Sequence, residues 1–157
     1  MTNGLAGSGA APDFVDNAGL GNLETDAFDL VQYRPPAHLG PYIRVIFFFC
    51  CNQSELTDSR PATSGNLTLV IEGEGKICLK GEEPRPIYPA TLLGPGTMAG
   101  QFHLKGPVRH IGIGLTPLGL VALTGKAADD ITDSMIDARP IFGENIVNLL
   151  EDIRNQG

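Results

Sequence analysis

Residues 43–50, which read IRVIFFFC, form the strongest strand signal in the sequence. Apart from Arg44, these side chains are β-branched, aromatic or a thiol, and they fall on both faces of an extended chain. A strand exposed on one face would instead alternate apolar with polar residues. We therefore expect this segment to be buried on both sides, as in the wall of a small closed barrel.

Glycine and proline occur throughout the chain. With 20 Gly and 12 Pro they make about a fifth of the 157 residues, which favours short elements and many turns over long helices or a coiled coil. The hydrophobic share of 42% is that of an ordinary globular chain, and so is the mean hydropathy of +0.03. A chain of this length fits one domain with its own hydrophobic core.

Two hairpins are predicted in the middle of the chain. Alternating apolar residues, the sequence EGEG and the run KICLK predict one hairpin over 67–80, with its tip near 73–75. The segments QFHL and VRHIGIGL predict a second hairpin over 101–115, with its turn at 105–107.

The remaining segments are read from turn residues and helical spacing. The polar segment 51–66 predicts a long exposed loop, and the proline-rich segment 85–97 predicts short strands at a barrel rim. Helices are predicted over 116–124, where Thr116 and Pro117 provide a cap and a first turn, over 130–138 and over 142–154.

Strands come first and helices follow, which predicts an α+β, mainly β fold. We expect an antiparallel barrel or sandwich of roughly seven or eight short strands, followed by two or three C-terminal helices. Residues 1–27 are rich in Gly, Ala, Asn and Asp without a sustained apolar period, so we expect a flexible N-terminal arm and a domain over 28–157.

Charge and composition exclude several partners. The 11 Lys and Arg residues are scattered among 18 Asp and Glu, and the net charge of −7 argues against DNA binding by this chain itself. Its apolar runs are too short to span a bilayer, and the first basic residue is Arg34, so neither a membrane segment nor a secretory signal is predicted. We expect a cytoplasmic protein whose three cysteines are inert thiols.

Several segments, taken in order, resemble a known family. YRPPAHLGPYI is similar to a segment that leads into a first long strand, and PATSGNLTLVIEGEG to a strand that opens after a proline and a turn glycine. Together with the segments LLGPGT, IGIGLTPLGLVALTG and DDITDSMIDARPIFGENIVNLLEDI, they resemble the N-terminal effector-sensing, cupin-like domain of AraC-type bacterial transcription regulators, over about residues 28–154.

The resemblance implies a cupin-like barrel that senses a small-molecule effector, forms a homodimer and reaches DNA only through a C-terminal helix-turn-helix domain that is missing from this chain. It implies neither catalysis nor a cofactor, and we expect a truncated chain rather than a stand-alone sensor. One departure concerns the first long strand, where such domains often carry tryptophan and this sequence has the phenylalanines of 47–49. A pocket that depends on an indole would therefore differ here.

Four residues are candidates for an effector pocket. Arg44 and Phe48 share one face of the strand 43–50, and His103 or His110 would add polar contacts. Effector pockets are mostly apolar with a few convergent polar groups, which this set matches. The competing interpretation, in which Phe48 belongs to the core and Arg44 to the surface, stays open.

An enzyme is the alternative function. A small cupin-type enzyme would use a metal held by His103 and His110, but metal cupins by resemblance carry an HxH pair, which this sequence lacks. No third ligand is defined and no nucleophile motif occurs, so we expect no metal site and no catalytic residue. A ligand-free structural dimerisation module is a third hypothesis.

The last predicted helix carries one apolar stripe. Its members stand at positions i, i+3, i+4 and i+7, which is the spacing of an amphipathic helix. They are the candidates for a dimer helix: Ile146, Leu149, Leu150 and Ile153. The stripe either covers the barrel or packs against a second copy, and the first interpretation is favoured.

Overall fold

The structure is a computed structural model that describes residues 23–24, 28–60 and 64–156. Within the predicted arm it describes strand β1 (Leu23–Glu24), which pairs antiparallel with β2 (Asp29–Tyr33). The rest of segment 1–27 lies outside the described residues, so the flexible arm remains a prediction.

The described residues form nine strands and four α-helices in α+β order. After β1 and β2 the strands are β3 (Ile43–Cys51), β4 (Glu55–Arg60), β5 (Asn66–Cys78), β6 (Arg85–Pro86), β7 (Ala90–Leu93), β8 (Gly100–Leu115) and β9 (Met135–Asp137). The helices are α1 (Pro117–Thr124), α2 (Ala128–Ile131), α3 (Arg139–Phe142) and α4 (Glu144–Gln156), and a 3-10 turn spans Ala37–Leu39.

All strand pairs are antiparallel and belong to one sheet. Its order is β1-β2-β3-β8-β5-β7-β9. Two short strands lie off this order: β4 pairs with β8 on the edge that β3 also occupies, and β6 pairs with β5 on the edge that β7 also occupies. The predicted α+β, mainly β fold is therefore confirmed. The predicted closed barrel is corrected, because among the described residues the hydrogen-bonded order runs from β1 to β9 without returning.

The two predicted hairpins are wrong. Residues 66–78 form the single strand β5, and residues 100–115 form the single strand β8. In β5, register shifts relative to β8 occur near Gly73, whose φ of 93° is in the left-handed region. In β8, Gly106 passes close to the Gln53 carbonyl oxygen, with which an added Cβ would collide. Glycine and proline occur at irregular positions within strands as well as in hairpin turns. The amino-acid composition alone therefore does not distinguish a bent strand from a hairpin.

Two further predictions need correction. The segment 51–66 contains strand β4, which pairs with residues 100–105 of β8, and is therefore not a long loop. The predicted helix over 130–138 is replaced by the end of α2 and by β9.

Helix α1 is confirmed, and its boundaries follow from its ends. Thr116 is the N-cap, and its Oγ1 accepts a hydrogen bond of 2.9 Å from the backbone N–H of Gly119. Gly125 ends the helix with a φ of 68°, a left-handed conformation that glycine adopts without steric cost.

The sheet has one apolar cluster on each face. The outer cluster joins β5, β7 and the end of β8 to the helices: Leu67, Leu69, Ala90, Leu92, Leu115, Leu120, Ile131, Ala138, Ile146 and Leu150. The inner cluster lies among the strands: Phe49, Cys51, Ile77, Phe102, Leu104, Val108 and Met135. Alternation along each strand separates the clusters, since Leu92 belongs to the outer and Leu93 packs on the inner one.

Candidate functional site

Aromatic rings fill the inner face where β3 meets β8. Phe49 and His110 are paired across these strands, and their rings stack with centroids 4.6 Å apart and planes at 19°. Phe47 meets the same imidazole edge-on, with centroids 6.5 Å apart. His110 is only 4% exposed. Three rings therefore pack against one another on the inner face where β3 meets β8.

A small cavity remains beside His110. It has a volume of about 30 Å³ and is lined by His110, Thr68, Thr91 and apolar side chains of the inner cluster. A space of this size holds about one water molecule and excludes an organic metabolite.

A larger, open cleft lies where β5 and β8 bend. Its volume is about 590 Å³, which is within the range of small-molecule sites. The cleft residues come from β4, β5, β6, β8 and α4 and from the loop before β7. They are Glu55, Thr57, Val70, Gly73, Glu74, Gly75, Lys76, Pro86, Ile87, Pro89, His103, Leu104, Lys105, Val108, His110 and Arg154.

Six polar cleft residues form two rows across the strands β4, β8 and β5. The Lys105 row consists of Glu55, Lys105 and Glu74, which are Cα partners in that order. The Lys76 row consists of Thr57, His103 and Lys76, and there Thr57 Oγ1 lies 3.0 Å from His103 Nδ1. Rows two residues apart on β8 share a face of the sheet, so all six side chains project to the same side.

The cleft reaches helix α4 through Arg154. A terminal guanidinium nitrogen of Arg154 donates a 2.8 Å hydrogen bond to the backbone carbonyl of Val70, on β5. With Lys76 and Lys105, Arg154 gives the cleft three basic side chains against two glutamates, in a chain of net charge −7.

Two of the four predicted pocket residues line the cleft, seven positions apart on β8. His103 and His110 both line the cleft. Phe48 is half-buried and pairs with Ile111, on the face opposite to Phe49 and His110. Arg44 is exposed beside the register shift at the start of β3. Neither Arg44 nor Phe48 is a cleft residue.

Several cleft residues were not anticipated from the sequence. Lys76, Lys105 and the two glutamates become neighbours only because β5, β8 and the unpredicted β4 lie side by side. In the sequence, Arg154 is one of 11 scattered basic residues, with no local pattern that links it to a site. The available signal is the alternation of polar residues along 72–76 and 103–105, where the hairpin interpretation places turns at 73–75 and 105–107.

The described cleft residues include histidines and glutamates but no cysteine. Within residues 28–60 and 64–156, no three His, Cys, Asp or Glu side chains are grouped closely enough to hold a metal ion. Cys50, Cys51 and Cys78 are free thiols. Burial raises the pKa of the Cys50 thiol, and the nearby Asp29 carboxylate raises this pKa further, so the reactive thiolate is disfavoured.

The apolar stripe of α4 is divided between the core and the surface. Ile146 and Leu150 are buried in the outer cluster, and Ile153 packs against it. Leu149 is 45% exposed and Val147 is 36% exposed. Among the described helices, α4 included, none combines the length and the apolarity that a bilayer crossing requires.

Comparison with known proteins gives one family match. Residues 31–137 match the domain of unknown function DUF6597. No curated protein matches this sequence.

Solved structures give distant likenesses. Vicilin from tomato, Solanum lycopersicum, is 20% identical with a TM-score of 0.47, over 59% of this chain and 28% of the vicilin. The AraC-like transcriptional activator CuxR is 15% identical with a TM-score of 0.47, over 83% of this chain and 54% of the activator. Ectoine synthase from P. lautus is 17% identical with a TM-score of 0.41, over 64% of this chain and 73% of the synthase. The chain thus spans about a quarter of the vicilin and about half of the activator.

Proposed function

Since this chain belongs to the DUF6597 domain family, we propose that it is the effector-sensing domain of an AraC-type bacterial transcription regulator. The observation that carries the proposal is the open cleft of about 590 Å³, which combines an apolar lining with convergent polar side chains. The sequence resemblance over about residues 28–154 supports the regulator class. The effector is a small molecule that binds in the cleft.

The proposed route from the cleft to the rest of a regulator is helix α4. An effector shifts an equilibrium only if it binds one arrangement more tightly than another. Arg154 both lines the cleft and bonds to Val70, so a ligand that contacts this guanidinium changes how the last turn of α4 is held. In the regulators that the sequence resembles, the DNA-binding domain follows this region.

The remaining parts of the proposal concern assembly and location. The domain forms a homodimer, for which the exposed side chains of Leu149 and Val147 on α4 are the proposed contacts. It contacts DNA only through a C-terminal helix-turn-helix domain, and it acts in the cytoplasm, where such a regulator meets DNA.

The proposed domain catalyses no reaction and carries no cofactor. The second candidate, a small metal-dependent cupin-type enzyme, is favoured by one observation, namely that His103 and His110 both line the cleft. Metal analysis of protein prepared without chelator distinguishes the sensor from the metal-dependent enzyme. A stoichiometric transition metal that is lost in His110→Ala would favour the enzyme.

Thermal melting against a metabolite library tests the sensor function. A ligand that binds only the folded chain raises the free energy of unfolding by about 2.7 kcal/mol at a hundredfold excess over Kd, and Tm rises with it. We expect one class of organic compound to raise Tm without added metal. The rise should disappear in Thr57→Trp, because the indole occupies the cleft from the exposed strand β4.

Leu118→Trp is the matched control for this experiment. Leu118 is exposed on α1 and is not a cleft residue, so the same bulky ring there should leave the ligand-induced rise intact. A rise that survives Thr57→Trp would place the ligand elsewhere and contradict the cleft assignment. A library without any stabilising compound would favour the structural dimerisation module.

A further inference from the structure

We propose that the Lys76 row (Thr57, His103 and Lys76) binds the acidic group of a small organic anion. The inference deepens the proposed function, because it assumes that the cleft is the effector site and assigns the chemical class of the effector. It follows from how charge is distributed between the two rows of the cleft.

The Lys105 row is unsuited to an anion. Lys105 lies between Glu55 on one neighbouring strand and Glu74 on the other. Two carboxylates on either side of one ammonium group give this row a net negative charge. An anion close to Lys105 would therefore meet repulsion from both sides.

The Lys76 row carries a positive charge and no carboxylate. Lys76 is exposed, and it takes part in none of the ion pairs of the described residues, so its ammonium group is available to a ligand. His103 is exposed beside it. The Lys105 row lies two residues away along β8, and Arg154 lies beyond it at Val70, so of the two rows only the Lys76 row has a positive charge.

The contact between Thr57 and His103 prepares the imidazole for an anion. When the Thr57 hydroxyl donates to Nδ1 across the observed 3.0 Å, a neutral imidazole carries its proton on Nε2. That nitrogen is then a hydrogen-bond donor on the strand next to Lys76, which is the Cα partner of His103. A carboxylate or a phosphate accepts from both donors, and charge-assisted hydrogen bonds of this kind are the strong ones.

Titration with citrate, followed by amide and histidine side-chain NMR, tests the proposal. We expect saturable shifts centred on Thr57, His103 and Lys76, and a Kd that rises with added NaCl because salt screens exposed charges. Lys76→Gln should raise this Kd about tenfold, the loss expected when a hydrogen bond to a charged group is removed. Glu74→Gln should lower it about twofold to threefold, because a nearby like charge disappears.

Lys126→Gln is the control for net charge, because it removes one positive charge outside the cleft. Its Kd for citrate should equal that of the unaltered chain. Equal weakening by Lys126→Gln and Lys76→Gln, or shifts centred on Lys105, would overturn the assignment of the Lys76 row.

The melting experiment separates failure of this inference from failure of the proposed function. If citrate does not bind, but a neutral metabolite raises Tm in a manner sensitive to Thr57→Trp, the anion assignment is wrong and the sensor function stands. If neither citrate nor any metabolite binds, both are wrong. Citrate binding that Lys76→Gln weakens supports the anion site even before the natural effector is known.

Discussion

Gly112 has no side chain, and the ring of Phe47 occupies the space that one would fill. An added Cβ at Gly112 would collide with the far edge of that ring. The same ring lies edge-on to His110, so one glycine on β8 lets two aromatic groups fill the inner face. The alternating glycines of VRHIGIGL thus allow close approach of a side chain of the protein itself.

Gly112→Ala should destabilise the chain by about 1–3 kcal/mol, because the new methyl group forces the Phe47 ring out of its position. Urea unfolding measures the change. In a Phe47→Leu background the same substitution should cost less, since leucine lacks the ring edge that would collide. Equal costs in both backgrounds would show that Phe47 is not the obstacle.

Single residues also show how far the sequence predicts the site. His103 and His110 were identified because histidine is rare in this chain and both stand in extended segments. Lys76 and Arg154 were missed, because one belongs to the site through strand pairing and the other through the docking of a helix. Both contacts are long-range, and local sequence patterns contain no information about them.

At the scale of elements, α4 was the most predictable segment and the bent strands were the least. Apolar spacing gives α4 and the face that it buries, since Ile146 and Leu150 are in the outer cluster. β5 and β8 were each divided at glycines, because a bend and a turn use the same residue types. β4 was missed because its sequence, ELTDSR, is polar, as an edge strand can be.

The two leucines of α4 should respond differently to substitution. Leu150→Ala should lower the free energy of unfolding by about 2–5 kcal/mol, because it leaves a cavity in the outer cluster. Leu149→Asp should leave the folded monomer intact and reduce the mass measured by light scattering to that of one chain, since Leu149 is a proposed dimer contact.

Asn148→Asp provides the matched control on the same helix. Asn148 is exposed, and this substitution adds the same negative charge without removing an apolar side chain. A mass that falls equally in both variants would point to charge repulsion rather than to a contact of Leu149. A dimer that survives Leu149→Asp would contradict the proposed α4 interface.

At the scale of the whole molecule, Asp133 joins three connecting segments that are distant in sequence. Its carboxylate accepts hydrogen bonds from the Thr97 backbone N–H at 2.8 Å and from the Thr97 hydroxyl at 2.6 Å, and Lys80 Nζ lies 3.6 Å away. These hydrogen bonds, with a smaller contribution from Lys80, hold the pKa of the Asp133 carboxyl below its ordinary range. The connections β5–β6, β7–β8 and α2–β9 are thereby tied together.

This arrangement predicts a specific dependence on pH. A carboxyl whose pKa is lower in the folded state stabilises the fold above its unfolded pKa of about 4, and the stabilisation disappears as pH falls through the folded value. Asp133→Asn should therefore lower Tm at pH 7 and reduce the fall of Tm between about pH 5 and pH 2. Asp152→Asn, an exposed site on α4, is the control and should leave the profile unchanged. An acid profile of Asp133→Asn that matches the unaltered chain would contradict this role.

The contact between Arg154 and Val70 joins residues 84 positions apart. The outer cluster likewise includes Ile146 and Leu150 of α4, which follow its strand residues in the sequence. On a ribosome, β5 and β7 are synthesised long before α4. Their outer faces therefore remain uncovered until α4 has been made, and an unfinished chain presents an apolar surface to chaperones or to other nascent chains. The synthesis of α4 thus sets the point at which the outer faces of β5 and β7 can be buried.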